Sequence, residues 1–517
     1  RIEPEALAAG GKVHVLIGNH ESMNLIGDMR YVSKDEYLAF ADDETAEERE
    51  RWLASYAVRQ GGSADNEVLR KRFDEQFPPG FFALRRAFAP DGHYGKWLLS
   101  KPVIVVINGT AFVHGGLSPA VVDFGLDGIN GDLKSQLAEY VRAQHVLIDA
   151  GVLLPTDSFY DTLPIADAFM PKINEKEQVL EAIGTIKRLS SSELLAQDGP
   201  LWYRGNVSCS PIIEEHRVSD ALNAIGAERV VVGHTPTPTR GVLQRFQGRL
   251  IEIDTGMFAD YYRGSGNALV LAGDSVTVLN QAGGEPLAPA DHPRLLGTRP
   301  GMMSVEALTK LLTEGEVVAE REDERGNTIV EVSDGKEKVA GIFTQRPHRG
   351  FYPEVAAYRL DRLLELDMVP VTVRRKVEGK DGSLQFLTSR HIDESQRSAS
   401  GRGGGASCEL PYQWTAMYIF DVLIYNEGRS QNRMLYDQSS WRLMLMRHDR
   451  AFVAKKGRPR HLRDIRLEID EGWRAALERL TDDVLRSNLD EVLDHRHIRS
   501  LATRRDQLLA EARKPGG

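Results

Sequence analysis

The chain has 517 residues, 41% hydrophobic and 27% charged, with a formal net charge of −10. That length exceeds one ordinary core, and about 150 residues per domain gives two or three domains. An acidic balance on ordinary globular composition excludes nucleic acid as the main partner.

The two cysteines, Cys209 and Cys408, lie far apart without partner spacing. The expectation is therefore buried small residues, with neither a disulfide nor a cysteine zinc site. No apolar run approaches the roughly 20 residues that a membrane helix needs, so a soluble protein without a membrane span is expected.

In chain order, Val13 to Ile17 reads as a buried strand that ends in Gly18-Asn19-His20-Glu21. A glycine there lets the backbone bend, so that an amide and an imidazole can point into one cavity. Ser33 to Arg59 reads as surface helices. Pro102 to Ile107 reads as a strand, Asn108-Gly109 as a hairpin turn and Thr110 to Val113 as the returning strand that delivers His114. Asp123 to Pro200 is helical and polar. A helix is expected over Ser219 to Ala227, then a strand at Arg229 to Val232 before Gly233-His234-Thr235, then short strands in RLIEIDTG, ALVLAG and SVTVLN. Gln281 to Gly301, rich in proline and glycine, reads as a linker. Beyond it come a helix near Ser304, β-rich stretches at Glu316 to Glu320 and Thr328 to Val332, and a helix opened by Pro353 and stopped at Val369-Pro370.

Three motifs carry chemistry: GNHE from Gly18, FVHGGLSP from Phe112 and VVVGHTPT from Val230. In this order they resemble the calcineurin-like metallophosphatases, in their bacterial, Shewanella-like phosphoprotein phosphatase branch, over roughly residues 1 to 275. The resemblance implies an α/β fold, a four-layer α/β/β/α sandwich. It makes Asn19, His114 and His234 the ligands of one ion of a pair, for which Mn, Fe or Zn suits the nitrogen and oxygen donors. Such a pair shares a bridging hydroxide that attacks a phosphomonoester, on a phosphorylated protein or a small molecule. His20 becomes the acid that protonates the leaving oxygen, and Arg204, in GPLWYRGN, the clamp on the phosphoryl oxygens. His14, Glu21, Asp254 and Arg240 read as supporting residues, with Glu21 fixing the turn.

The family's Asp-x-His and Gly-Asp-x-x-Asp-Arg-Gly motifs belong upstream of GNHE, where about a dozen residues opening with Arg1 stand. The sequence thus reads as a fragment starting inside its first domain, with three of six ligands, one ion in place of two, and a compartment, cytoplasmic or periplasmic, that cannot be read.

The second half carries EVAAYRLDRLLELDMVPVTV, FDVLIYNEGRSQNRMLYD and WRLMLMRHDRAF. These resemble bacterial kinase-like proteins related to secretory-pathway and phosphatidylinositol kinases, which implies an α+β domain. Glu354 matches the helix glutamate and Asn432 the metal asparagine, with Asp449 a displaced metal aspartate, a set that implies nucleotide binding. Thr344, Gly428 and Arg447 stand where a lysine, a catalytic aspartate and a metal aspartate are expected, so a pseudokinase is the expectation. An active kinase would require Asp449 and Lys336 or Lys338 to replace the missing groups. The expected layout is a metallophosphatase domain over 1–280, a linker over 281–301 and a kinase-like domain over 302–517. The alternative to an enzyme is a catalytically impaired regulatory or binding protein that pairs half a metal site with a pseudokinase.

Overall fold

The structure, a computed structural model, describes residues 2–169, 177–196, 199–273, 275–287, 303–348 and 350–512. It is a mixed α/β protein with several sheets. Its packing divides into two compact units, Arg1–Tyr203 with Ala221–His234, and Arg204–Asp220 with Thr235–Gly517. Most of the stretch expected as a linker, residues 288–301, lies outside the described residues.

In the first unit, strands β1 (Ile104–Ile107) and β2 (Thr110–Val113) pair antiparallel. Asn108 and Gly109 both take positive φ, 49° and 73°, the geometry that a two-residue hairpin requires and that this pair tolerates best. Strand β3 (Arg229–Val232) pairs parallel with β2, Val113 opposite Val232. The carboxyl ends of β2 and β3 therefore lie side by side. The helices expected between Ser33 and Arg59 are present at Lys34–Leu38 and Ala46–Arg59. The polar region after Asp123 contains a 30-residue helix, Ala120–Asp149, kinked at Gly125. With helix Glu177–Leu189 it buries a core of Tyr140, Leu147, Ile183 and Ile186.

Two expectations fail here. Val13 to Ile17 forms no strand, although Ile17 is buried and its N–H bonds the Pro102 carbonyl at 3.0 Å. One such bond does not make a ladder, and residues 13–17 join no ladder pairing. The helix expected from Ser219 begins at Pro211 and runs to Ala224; proline is preorganised for a first helical turn, where its missing N–H costs nothing.

In the second unit, β4 (Leu243–Arg245) and β5 (Leu250–Glu252) form a hairpin. β6 (Ala268–Ala272), β7 (Ser275–Asn280) and β8 (Gly283–Pro286) form an antiparallel meander. Helix Val305–Glu314, capped by the Ser304 hydroxyl, precedes β9 (Glu316–Glu322), β10 (Thr328–Ser333) and β11 (Lys338–Gln345). With β12 (Thr372–Val377) and β13 (Lys380–Leu387) they make an antiparallel sheet in the order β12-β13-β11-β10-β9. Helix Pro353–Leu364 has proline in its first turn and packs on β12 and β13. Its buried apolar residues join Ala416, Phe420, Tyr436 and Leu501 in one core.

The cysteines correct a further expectation. Cys209 and Cys408 are disulfide-bonded, with Cα atoms 4.9 Å apart across 199 residues of sequence. Segment 204–220 is bound into the second unit by more than this bond. Arg442 donates to the Ser208 carbonyl, Arg245 donates to the carbonyls of Asn206 and Cys209, and the Arg217 guanidinium lies 3.6 Å from the Tyr412 ring centre. A buried arginine that serves carbonyls in this way satisfies acceptors that would otherwise be desolvated.

Candidate functional site

Gly18 is the N-cap of helix Asn19–Ile26, which places Asn19 and His20 on its first turn. The Gly18 N–H donates to Glu21 Oε2 at 3.0 Å, so Glu21 does fix the turn. A side chain at Gly18 is excluded, since a Cβ there would stand 2.7 Å from Glu21 Oε2 and 2.8 Å from His114 Cγ.

His114 follows β2 and His234 follows β3, two residues past its end. The Gly233 N–H bonds the His114 carbonyl at 2.9 Å and extends the parallel register to the site. His234 holds φ at 65°, a left-handed conformation that is costly for a residue with a Cβ and that clusters at functional sites. The outcome is convergence. His114 Nε2 lies 2.6 Å from Asn19 Oδ1 and 3.0 Å from His234 Nδ1. Asn19 is buried, and the Trp202 ring meets His234 edge-on at 6.0 Å between centres.

Among the described residues, no group of three His, Cys, Asp or Glu side chains could hold a metal. Asn19, His114 and His234 are a different kind of set, one amide oxygen and two imidazole nitrogens. The 2.6 and 3.0 Å separations are hydrogen-bond distances, while an amide oxygen with two imidazole nitrogens is a donor set whose chemistry suits a transition metal. By donor chemistry, the three residues match what a divalent transition ion takes.

His20 is exposed and stacks on Tyr31, with ring centres 4.9 Å apart and planes 3° from parallel. Tyr31 in turn lies beside the Arg30 guanidinium, which Asp28 holds by a bond from Arg30 Nη2 to Asp28 Oδ2 at 2.7 Å. His14 is exposed. Arg204 belongs to the second unit, half-buried at the start of the short helix Gly205–Ser208. Asp254 Oδ1 accepts the Gly256 N–H at 2.9 Å, and Arg240 donates to the carbonyls of Thr237 and Tyr262, each at 2.8 Å. These are loop-shaping roles.

In the second unit, Glu354 is buried and accepts the His448 backbone N–H at 2.6 Å, with the His448 ring Nδ1 3.1 Å from its other oxygen. Burial alone would push this carboxyl up, but the bonds and charge of His448 outweigh it and hold Glu354 below its ordinary value. Asp449 is half-buried and pairs with Arg433 at 3.0 Å, while Asn432 is exposed on a single 3₁₀ turn. Thr344 lies opposite Ser383 in the sheet. Lys338 pairs with Glu331 at 2.9 Å. A side chain at Gly428 would meet Arg433 Nη1 at 2.6 Å. His448 was not singled out in the sequence, although it stands between Arg447 and Asp449, which were.

No protein-family model matches the chain. A Shewanella-like protein phosphatase 2 of Arabidopsis thaliana is 32% identical over 139 residues, covering 26% of this chain and 36% of that protein. A Shewanella-like protein phosphatase 1 of Plasmodium berghei is 23% identical over 266 residues, half of this chain and 52% of that protein. An uncharacterised protein of Schizosaccharomyces pombe is 24% identical over the same length, 50% of this chain and 55% of its own. The chain thus spans between a third and just over half of the length of these relatives. Among solved structures, the cold-active protein tyrosine phosphatase of a psychrophilic Shewanella aligns at a TM-score of 0.34 and 24% identity, over 56% of this chain and 62% of that one. A TM-score of that size is too low to establish a shared fold. The chain is similar in sequence to proteins named as Shewanella-like protein phosphatases, over a quarter of its length in one case and half in the other.

Proposed function

We propose that the chain carries a metal-dependent phosphomonoesterase site of the phosphoprotein phosphatase kind. The observation that supports it most is the meeting of His114 Nε2 with Asn19 Oδ1 and His234 Nδ1 at 2.6 and 3.0 Å. The names of the relatives support the reaction class.

In this reading Asn19, His114 and His234 hold a divalent ion, Mn, Fe or Zn. The bound ion supplies Lewis acidity and a nucleophile at neutral pH, with a second ion in a complete pair. The protein's own groups do the rest. Glu21 locks the Gly18 turn, so the Asn19 amide is presented without reorganisation. His20 gives its proton to the leaving oxygen of a phosphoserine, phosphothreonine, phosphotyrosine or small phosphomonoester. Arg204 binds two phosphoryl oxygens through its planar guanidinium and offsets charge in the transition state. The surrounding fold in this reading is the four-layer sandwich over 1–280, joined through 281–301 to a kinase-like domain over 302–517.

A second reading, a regulatory or binding protein, is favoured by one observation. Glu354, the residue that would pair with a kinase lysine, is occupied by His448. The kinase-like part is then a pseudokinase. Hydrolysis of a phosphopeptide that stops on chelation and returns with Mn supports the enzyme. Metal binding without hydrolysis at any metal concentration supports the binding protein.

A further inference from the structure

A cleft of about 510 Å³ lies in the second unit against the meander β6-β7-β8. Val278 stands opposite Glu285 in the ladder, and Asn280 follows Val278 by two residues, so these three share one face of the sheet. That face lines the cleft, and the loop 240–242 together with Ser265 and Asn267, just ahead of β6, lines the rest. Val278 is buried, whereas Ser265, Gln281 and Glu285 are exposed, so the cleft has a buried floor and a mouth open to solvent. Its volume falls within the range of small-molecule sites, about 300–1,000 Å³.

Two opposite charges line this cleft and are not paired with each other. Arg240 is half-buried, and its guanidinium is fixed by two carbonyls, Nε donating to Tyr262 and Nη1 to Thr237, each at 2.8 Å. A Cβ at Gly256 would stand 3.3 Å from Arg240 Cδ, so the stem of the arginine also packs closely. Nη2 is left over, and no carboxylate among the described residues pairs with it. Glu285 accepts one bond, from Asn280 Nδ2 to Oε1 at 3.2 Å, and no cation among the described residues pairs with it. Neutral groups of both kinds accompany them. Asn267 commits Nδ2 to Thr255 Oγ1 at 3.0 Å and to the Ser265 carbonyl at 3.2 Å, which leaves Oδ1, and the Gln281 amide bonds no other side chain among the described residues. Val242, Val278 and Leu287 supply apolar wall.

A ligand of one sign would meet one partner and one like charge here, and a neutral polyol would leave both charges unmatched. We propose that the cleft binds a short zwitterionic peptide of two or three residues, its carboxylate on Arg240 and its ammonium on Glu285. Extended, such a peptide spans about 7–11 Å. Its amide links offer a donor and an acceptor each to Gln281 and Asn267, and small apolar side chains suit Val242, Val278 and Leu287. Because the two carbonyls already hold the Arg240 guanidinium in place, little ordering is left to oppose binding. The proposal does not rest on the phosphatase reading.

Isothermal titration of the tripeptide Ala-Val-Ala into the full chain tests it, beside the same peptide N-acetylated and the same peptide C-amidated. We expect one saturable site for the free peptide and binding about tenfold weaker for each blocked form, as the loss of a charge-assisted bond implies. Arg240→Gln should abolish the preference for acid over amide and keep the preference for free over acetylated amine. Glu285→Gln, which can still accept the Asn280 bond, should do the reverse, and it serves alone if Arg240→Gln disturbs its loop. Absence of saturable binding by the free peptide, equal binding of the blocked forms, tighter binding of maltotriose than of the peptide, or a Glu285→Gln variant that still prefers the free amine would each overturn the proposal.

Discussion

Glu354 and His448, 94 residues apart in sequence, form a buried pair in which one carboxylate takes both the backbone N–H and the ring of the same histidine. The carboxylate of helix Pro353–Leu364 is thereby committed to a neighbour within its own core. Glu354→Gln keeps the shape but loses the charge, and we expect it to lower unfolding stability by about 2–4 kcal/mol. Because Glu354 is held below its ordinary value, its contribution is complete above about pH 4.3 and is lost as pH falls through the lower folded value. Urea unfolding at pH 7 and pH 4 measures both effects. An unchanged midpoint at pH 7 would show that the pair contributes nothing.

A pH effect of similar form is expected in the first unit. Burial and the Arg85 charge hold His145 at about 4, against 6.5 in an unfolded chain. Between those values the unfolded chain binds a proton that the folded chain lacks, so stability rises with pH through this window. It is complete above about 6.5 and lost toward 4, an effect on the order of 2 kcal/mol. Asp149 and Asp91 face His145 and oppose the shift. His145→Gln should flatten the slope of unfolding midpoint against pH between 4.5 and 6.5 in phosphate-free buffer. A slope as steep as that of the native chain would assign the effect to another group.

The Cys209–Cys408 bond closes a loop of 199 residues. Cross-links over long loops restrict the unfolded chain, and their removal typically costs about 2–5 kcal/mol. We expect the denatured, unreduced chain to resist thiol alkylation, and Cys209→Ala with Cys408→Ala to melt at lower temperature. Two alkylated thiols without reductant would contradict the bond. Since disulfides persist in oxidising compartments, the same experiment on protein from its native source reports where the chain folds.

What the sequence made legible was local. Asn108-Gly109 announced its hairpin because both residues tolerate positive φ, and Pro353 announced a helix start because its fixed φ suits a first turn. Asn19, His114 and His234 stand in glycine-flanked motifs, two of them after strands, and the structure brings those three together. What escaped was set by distant partners. Val13 to Ile17 has strand-like alternation but pairs into no ladder, and strand formation is decided by such pairing. Nothing near Cys209 points to Cys408. His448 matters through Glu354, a contact that no motif encodes.

The metal reading makes the most direct demand on experiment. Metal content and p-nitrophenyl phosphate turnover should be measured together for the native chain, His20→Asn and His234→Ala. His234 Nδ1 stands 3.0 Å from His114 Nε2 within the donor set, while His20 stacks on Tyr31. His234→Ala is therefore expected to lose bound ion together with any turnover. His20→Asn should keep its ion at nearly the native level and lower turnover by about 10²–10⁴-fold, the usual size of an acid–base contribution. Equal metal loss in the two variants, or full metal retention in His234→Ala, would contradict the central claim that Asn19, His114 and His234 hold the ion and His20 acts beside it.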